Sequence, residues 1–272
     1  MNYKLIAIDM DGTLLRSDKT LSESTISILK EVMKQGCEIV ISTGRCLKEL
    51  YDIYEKLPEI RYFITTNGAL VYDAKEDKVI YENSISIPLV YKIIEASHRK
   101  DLMLHILDFE CIIEKDKLEH VETYKMASYR EMYTKIAKCV DSIDSYFKEN
   151  EKTIQKINLY HKNKEDRQES ITFLSQFDLC LTYAESYALE CTANHVNKGI
   201  GLQKLSSYLN IDSKQIASIG DSFNDLSMFK TANISFAMGN AEEEVKKQAD
   251  IVVSDNDHDG VKEAIEYIKN FE

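Results

Sequence analysis

The chain has 272 residues, 44% of them hydrophobic, at a mean hydropathy of −0.33. That is enough to bury one large core or two modest ones, and it excludes a disordered tail or a collagen-like rod. With 34 basic and 46 acidic residues the formal charge is −12, which repels polyanions and argues against nucleic acid as a partner. Apolar runs such as Leu5–Ile8 fall far short of the roughly 20 residues that cross a bilayer, so no membrane segment is expected. The N-terminal residues carry no secretory pattern, and the expected location is the cytoplasm. Six cysteines without a Cys-x-x-Cys pair read as reduced thiols packed in the core.

In chain order, Leu5–Ile8 reads as a buried strand. Residues 22–35 read as a helix, with apolar Ile26, Leu29 and Met33 on one face, Ser22 as N-cap and Gly36 as the left-handed stop. Strands are expected at 37–41 and 62–65, and a hairpin from 70–72 and 79–81. This is the rhythm of βαβ units on a parallel sheet. Between Gly68 and Gly199 there is no glycine, and the texture changes. Helices are expected at 89–99, 129–147 and 164–177, and strands at 102–107, 111–114, 154–161 and 179–183. That stretch reads as an α+β module inserted into the first domain. From Val196 the βαβ rhythm returns, with strands at 216–219, 234–237 and 251–253. The expected division is a core of residues 1–82 and 189–272, with an insert of residues 83–188.

In open α/β sheets ligands sit beyond the carboxyl ends of the strands, and four such ends carry chemistry. Asp9-Met10-Asp11-Gly12-Thr13 follows the first strand, and two carboxylates so close repel each other unless a cation or a proton intervenes. Ser42-Thr43-Gly44-Arg45 follows the second and offers a hydroxyl, backbone N–H groups and a guanidinium to an anion. After the third, Thr66-Asn67-Gly68-Ala69 adds polar groups at the same edge, or simply makes a turn. Gly220-Asp221-Ser222-Phe223-Asn224-Asp225 supplies hard oxygen donors of the kind Mg²⁺ prefers. Lys198, at a helix start, opposes the helix dipole and calls for an anion beside it. Each motif alone has an ordinary reading as a cap, a turn or a solvated side chain. Their conjunction in order, each ending a strand, favours a site.

With those residues in place, the chain resembles the haloacid dehalogenase-like (HAD) hydrolases. DMDGT at 9–13, STGR at 42–45, Lys198 and GDSFND at 220–225 match the four motifs of that superfamily. TNGA at 66–69 and the long insert resemble its Cof-type, subclass IIB phosphatases. The resemblance implies a Rossmann-like parallel-sheet core with an inserted α+β cap of type C2B. Asn197 stands where relatives often have serine before the motif lysine.

The same resemblance implies roles. Asp9 would be the nucleophile and Asp11 the acid and base. Mg²⁺ would be held by Asp9, the Asp11 backbone carbonyl and Asp221, with Asp225 orienting the metal shell or the lysine. Thr43 and Lys198 would bind the phosphoryl oxygens and Asn224 would position the phosphoryl group or Lys198, while Gly44 would contact the phosphate and Arg45 and Asn67 would bind the substrate or stabilise a loop. The implied reaction is Mg²⁺-dependent hydrolysis of small phosphomonoesters, sugar phosphates first, through an aspartyl-phosphate. A phosphomutase of the phosphomannomutase type and a non-catalytic phosphometabolite sensor are the alternatives. The insert would act as a lid. Its polar residues His105, Asp108, Glu110, Lys156, Asn158, His161, Glu185 and Ser186 read as solvated surface. Monomer and homodimer are equally compatible with the sequence.

Overall fold

A computed structural model describes residues 2–183 and 187–270. Strands in chain order are β1 (Leu5–Ile8), β2 (Glu38–Ser42), β3 (Tyr62–Thr65), β4 (Leu70–Asp73), β5 (Lys78–Glu82), β6 (Met103–Leu107) and β7 (Cys111–Glu114). They continue with β8 (Lys138–Val140), β9 (Lys156–Tyr160), β10 (Leu179–Tyr183), β11 (Ala188–Ala193), β12 (Ile216–Gly220), β13 (Ile234–Ala237) and β14 (Ile251–Val252). The chain forms two compact units: Met1–Gly44 with Tyr51–Glu82 and Asn197–Glu272, and Arg45–Leu50 with Asn83–Val196.

The first unit is built on a sheet of order β14-β13-β12-β1-β2-β3-β4-β5, parallel except for the β3-β4-β5 meander. β1 is central, paired with β12 on one side and β2 on the other, and all four of its residues are buried. Burial on both faces is why Leu5–Ile8 reads as an unbroken apolar run. The expected first helix spans Glu23–Lys34, and the Ser22 side chain accepts from the Thr25 amide as its cap. Gly36, at φ 86°, supplies the left-handed stop.

The second unit has a sheet of order β10-β11-β9-β6-β7-β8. Its alternation puts Leu104 and Ile106 on one face, in a core with Ile157, Leu159, Leu189 and the helix Ile87–Ser97. Met103, Leu107 and Tyr160 sit on the other face, under Tyr133 of the helix Arg130–Ile136.

Three expectations are corrected. Residues 129–147 are not one helix: Arg130–Ile136 and Ile143–Glu149 are helical, and β8 between them pairs parallel with β7. The sheet edge at β7 wins those residues from the helix. The boundary expected after residue 188 moves to 196/197, because β11 is hydrogen-bonded between β9 and β10. Of the insert's polar residues, His105, Asp108, Lys156, Asn158 and His161 are buried and not solvated, while Glu110 is exposed. Glu185 and Ser186 lie outside the described residues.

Candidate active site

In the first unit the carboxyl ends of β1 and β12 bring two sequence motifs together. Asp9 follows β1 directly, and its amide donates to the Ile219 carbonyl at 3.0 Å. The chain then folds back sharply: the Leu14 amide reaches the Asp9 carbonyl at 3.2 Å and the Leu15 amide the Met10 carbonyl at 2.9 Å. Gly12 makes that turn at φ 83°, where a Cβ would lie 2.4 Å from Asp221 Oδ2. Only glycine lets the two loops approach so closely. Thr13 Oγ1 then donates to Asp221 Oδ1 at 2.9 Å, tying the first motif to the last.

Lys198 is the first residue of the helix Lys198–Leu209 and is almost wholly buried. Its Nζ donates to Asp9 Oδ1 at 2.5 Å and to Asp225 Oδ1 at 2.7 Å. Two carboxylates answer the lysine's unfavourable place at a helix N-terminus. Asn197 caps the helix, its Oδ1 accepting from the Ile200 amide at 2.9 Å. Asparagine is among the best side chains for that capping position.

Asp225 is fully committed. Oδ1 holds Lys198, while Oδ2 accepts from the Asp221 and Ser222 amides at 3.0 and 2.9 Å. It belongs to the cluster Asp9, Asp221 and Asp225, whose ligand atoms lie within 4.8 Å of one another. With both oxygens occupied by hydrogen bonds, it ties the loop to the lysine, and Asp9 and Asp221 are the members of the cluster that could hold a cation.

Thr43 and Asn67 are joined through the backbone. The Thr43 amide donates to the Ile64 carbonyl at 2.8 Å and the Asn67 amide to the Thr43 carbonyl at 3.0 Å. Thr66, Asn67 and Gly68 all have positive φ (50°, 60° and 98°), a tight left-handed turn that is strained for the β-branched threonine. Its purpose is steric: a Cβ on Gly68 would lie 2.2 Å from the Asn197 carbonyl oxygen. The turn is the seat on which the start of the Lys198 helix rests. Asn224 Nδ2 reaches Asn67 Oδ1 at 3.5 Å, so the loops after β3 and β12 also meet.

Two expected site residues stand apart from the buried cluster. The Asp11 carboxylate turns toward Lys19, which donates to it at 3.0 Å in a half-exposed pair. Pairs of that kind contribute at most about 1 kcal/mol and open readily. Arg45 clusters with the second unit, where Nη1 donates to the Glu49 carbonyl at 3.5 Å and lies 3.6 Å from the Met132 sulfur. Gly44 stays in the first unit, in the bend after β2. Sequence reasoning missed Thr13 as the link to Asp221, although it stands in the quoted motif.

The electrostatics are those of carboxylates held too close in a dry place. Burial pushes the Asp9 carboxyl well above its ordinary range, Asp225 adds to the push, and Lys198 pulls the other way. Burial works against the Lys198 ammonium, but Asp225 and Asp9 overcome it and hold its pKa above the ordinary lysine value. Asp221 is pushed up to about 6, by burial first and then by Asp225. A carboxyl more basic folded than unfolded favours the fold at low pH, and that contribution is lost as pH rises through about 6. In chelator, Asp221→Asn is therefore expected to be more stable than the parent at pH 7 by about 1–3 kcal/mol, less what the Thr13 hydrogen bond contributes. Urea titrations at pH 5 and 7 measure it, and a parent and variant that change in parallel between the two would contradict it.

Residues 6–265 match the family described as haloacid dehalogenase-like hydrolase. The chain belongs to the haloacid dehalogenase-like hydrolases. It is 27% identical over 299 residues to the phosphatase YwpJ of Bacillus subtilis, covering 97% of this chain and 99% of that one. To the 5-amino-6-(5-phospho-D-ribitylamino)uracil phosphatase YitU of the same organism it is 27% identical, covering 94% of each. A solved haloacid dehalogenase-like hydrolase from Bacteroides thetaiotaomicron superposes with a TM-score of 0.85 at 29% identity, covering 98% of this chain and 99% of that one. The family is the one that the four motifs resemble. This HAD protein is a phosphatase with a mixed α/β fold, and no helix among its described residues is long and apolar enough to cross a membrane.

Proposed function

We propose that the chain is a Mg²⁺-dependent phosphatase of small phosphomonoesters, sugar phosphates first, working through an aspartyl-phosphate on Asp9. The observation that carries this reading is the Asp9 carboxylate at the end of β1, 2.5 Å from the buried Lys198 ammonium and beside Asp221. A pure binder of phosphate has no use for a carboxylate there, because it repels the ligand.

Asp9 and Asp221 suit a hard divalent cation: both are oxygen donors, and burial and mutual repulsion oppose their ionisation unless positive charge is added. The Asp11 backbone carbonyl completes the set that the motifs imply. Mg²⁺ bound there would offset the charge between the carboxylate and the phosphate dianion.

The protein's own residues then do the following. An Asp9 carboxylate oxygen attacks phosphorus as the bond to the leaving oxygen breaks, and Asp11 gives its proton to that oxygen. Water next attacks phosphorus, loses its proton to Asp11, and the Asp9–phosphorus bond breaks to release inorganic phosphate. Lys198 and Thr43 hold the phosphoryl oxygens as charge gathers on them. Asn224 and Asn67 position the group, with Gly44 as a further contact. The Lys19 pair opens to free Asp11. Substrate choice falls to the inserted unit, acting as a lid. Sugar phosphates are supported by YitU, whose name specifies a phospho-ribityl compound. Six cysteines, none of them in a disulfide, suit a reducing cytoplasm.

Two measurements test the chemistry. Incubation with hexose 1-phosphates is expected to release inorganic phosphate, and isomer interconversion without release would establish a mutase instead. Asp11→Asn is expected to lose about 10²–10⁴-fold in turnover while still binding Mg²⁺, because its contribution to the metal is a backbone carbonyl. Unchanged turnover would remove Asp11 from the acid–base role.

A further inference from the structure

The second unit holds a cluster that the phosphatase chemistry does not use. Glu49, His105 and Cys111 are buried, at 3%, 2% and 0% exposure, and offer one ligand atom each within 4.8 Å of one another. His105 Nε2 lies 3.0 Å from Cys111 Sγ and 3.5 Å from Glu49 Oε1. The other Glu49 oxygen is already used, accepting from the Cys46 amide at 2.8 Å. Thus one carboxylate oxygen, one imidazole nitrogen and one sulfur converge from two chain segments, the turn Leu47–Leu50 and the hairpin β6–β7.

We propose that Glu49, His105 and Cys111 form a binding site for a borderline-soft divalent metal ion of the Zn²⁺ class. Mixed oxygen, nitrogen and sulfur donors suit such an ion and not Mg²⁺. Zinc–nitrogen bonds of about 2.0–2.1 Å and zinc–sulfur bonds of about 2.3 Å set tetrahedral nitrogen and sulfur about 3.5 Å apart, so adjustments of roughly half an ångström open the cluster to an ion. Charge closes as well. A divalent cation with one carboxylate, one thiolate and a neutral imidazole is neutral overall, as a dry site requires. Binding displaces the Cys111 thiol proton to solvent. The nearby Lys156 ammonium is already paired with Glu190.

A second feature points the same way. When Nε2 is the ligand, the proton moves to Nδ1 and needs an acceptor. Nδ1 faces the Asn158 amide at 3.4 Å and the Tyr160 hydroxyl at 3.5 Å. Asn158 Oδ1 is buried and has no hydrogen-bond partner among the described residues. Turning the amide over presents that oxygen to Nδ1–H and to the Tyr160 hydroxyl, and carries the amide nitrogen to the place the oxygen held. The ring is held for this by Tyr133 and Tyr160, with centroids at 4.8 and 6.0 Å. A bound ion would pin the turn Leu47–Leu50 to the β6–β7 hairpin.

The test uses the full chain, stripped with chelator under reducing conditions and titrated with Co²⁺ in excess Mg²⁺. Sulfur ligation gives a thiolate-to-cobalt charge-transfer band in the near ultraviolet, and the carboxylate site at Asp9 and Asp221 contains no sulfur to produce one. Wild type and Asp9→Asn are expected to show the band at one equivalent, and Zn²⁺ is expected to bleach it. Cys111→Ser is expected to abolish it, and Glu49→Gln, which keeps the thiol, to weaken Co²⁺ binding at least tenfold. Cys139→Ser, removing an exposed thiol, is expected to leave the band intact. Absence of the band in wild type, its survival in Cys111→Ser, or its loss with Cys139 would each overturn the site.

Discussion

Replacing Asp9 by asparagine is expected to stop phosphate release, lowering turnover by at least about 10⁴-fold, because a neutral amide cannot make the bond to phosphorus. The fold should survive. Asp225 still holds Lys198, and one of the three mutually repelling carboxylates is gone. Assay of p-nitrophenyl phosphate hydrolysis in Mg²⁺, with thermal melting of the same sample, separates the two effects. Near-native turnover would remove Asp9 from the chemistry altogether. A lost fold would instead mean that the buried pair with Lys198 is needed for folding.

Lys198→Met is expected to act on both activity and stability. The lysine lies between Asp9 and Asp225, each of them buried, and no other cation is hydrogen-bonded to either among the described residues. Removing one partner of a buried ion pair leaves the other uncompensated and costs about 3–5 kcal/mol. The backbone amides that Asp225 accepts from limit the damage on that side. Adding Asp225→Asn to Lys198→Met is expected to return part of the loss, since it discharges one stranded carboxylate, with a coupling of about 1–3 kcal/mol. Denaturant unfolding of the two single variants and the double measures it. Additive losses would contradict the ion-pair account. Activity should be absent from Lys198→Met and from the double variant, because the phosphoryl oxygens lose their ammonium.

The sequence exposes the parts of this molecule that local chemistry controls. Asp9, Thr43 and Asp221 follow short apolar runs, and a loaded residue at a strand's carboxyl end is visible without a structure. The Ser22 and Gly36 caps likewise mark the helix Glu23–Lys34 at both ends. The second unit offers no such punctuation. With no glycine or proline between Arg130 and Glu149, the apolar spacing runs on as if helical, and only pairing with β7 reveals β8. β11 escapes notice because Ala188–Ala193 is poor in β-branched residues and owes its extended form to neighbours on both sides.

Burial of the insert's polar side chains is equally hidden. His105 stands opposite Asn158 across a strand pair, 53 positions away in the chain, and nothing in either local sequence announces the partner. Arg45 shows the converse limit. It adjoins Thr43 and Gly44 in sequence, yet packs with the unit that begins at its own position.

The central claim is a covalent phosphoryl-enzyme on Asp9, and trapping it is the most direct test. The enzyme would be mixed with ³²P-labelled substrate, quenched in acid within a turnover, reduced with borohydride in a parallel sample, and digested. The account predicts label on the peptide that contains Asp9, discharged by hydroxylamine, and homoserine in place of Asp9 after reduction. Label on any other residue, or phosphate release at full rate with no label retained on the protein, would contradict it.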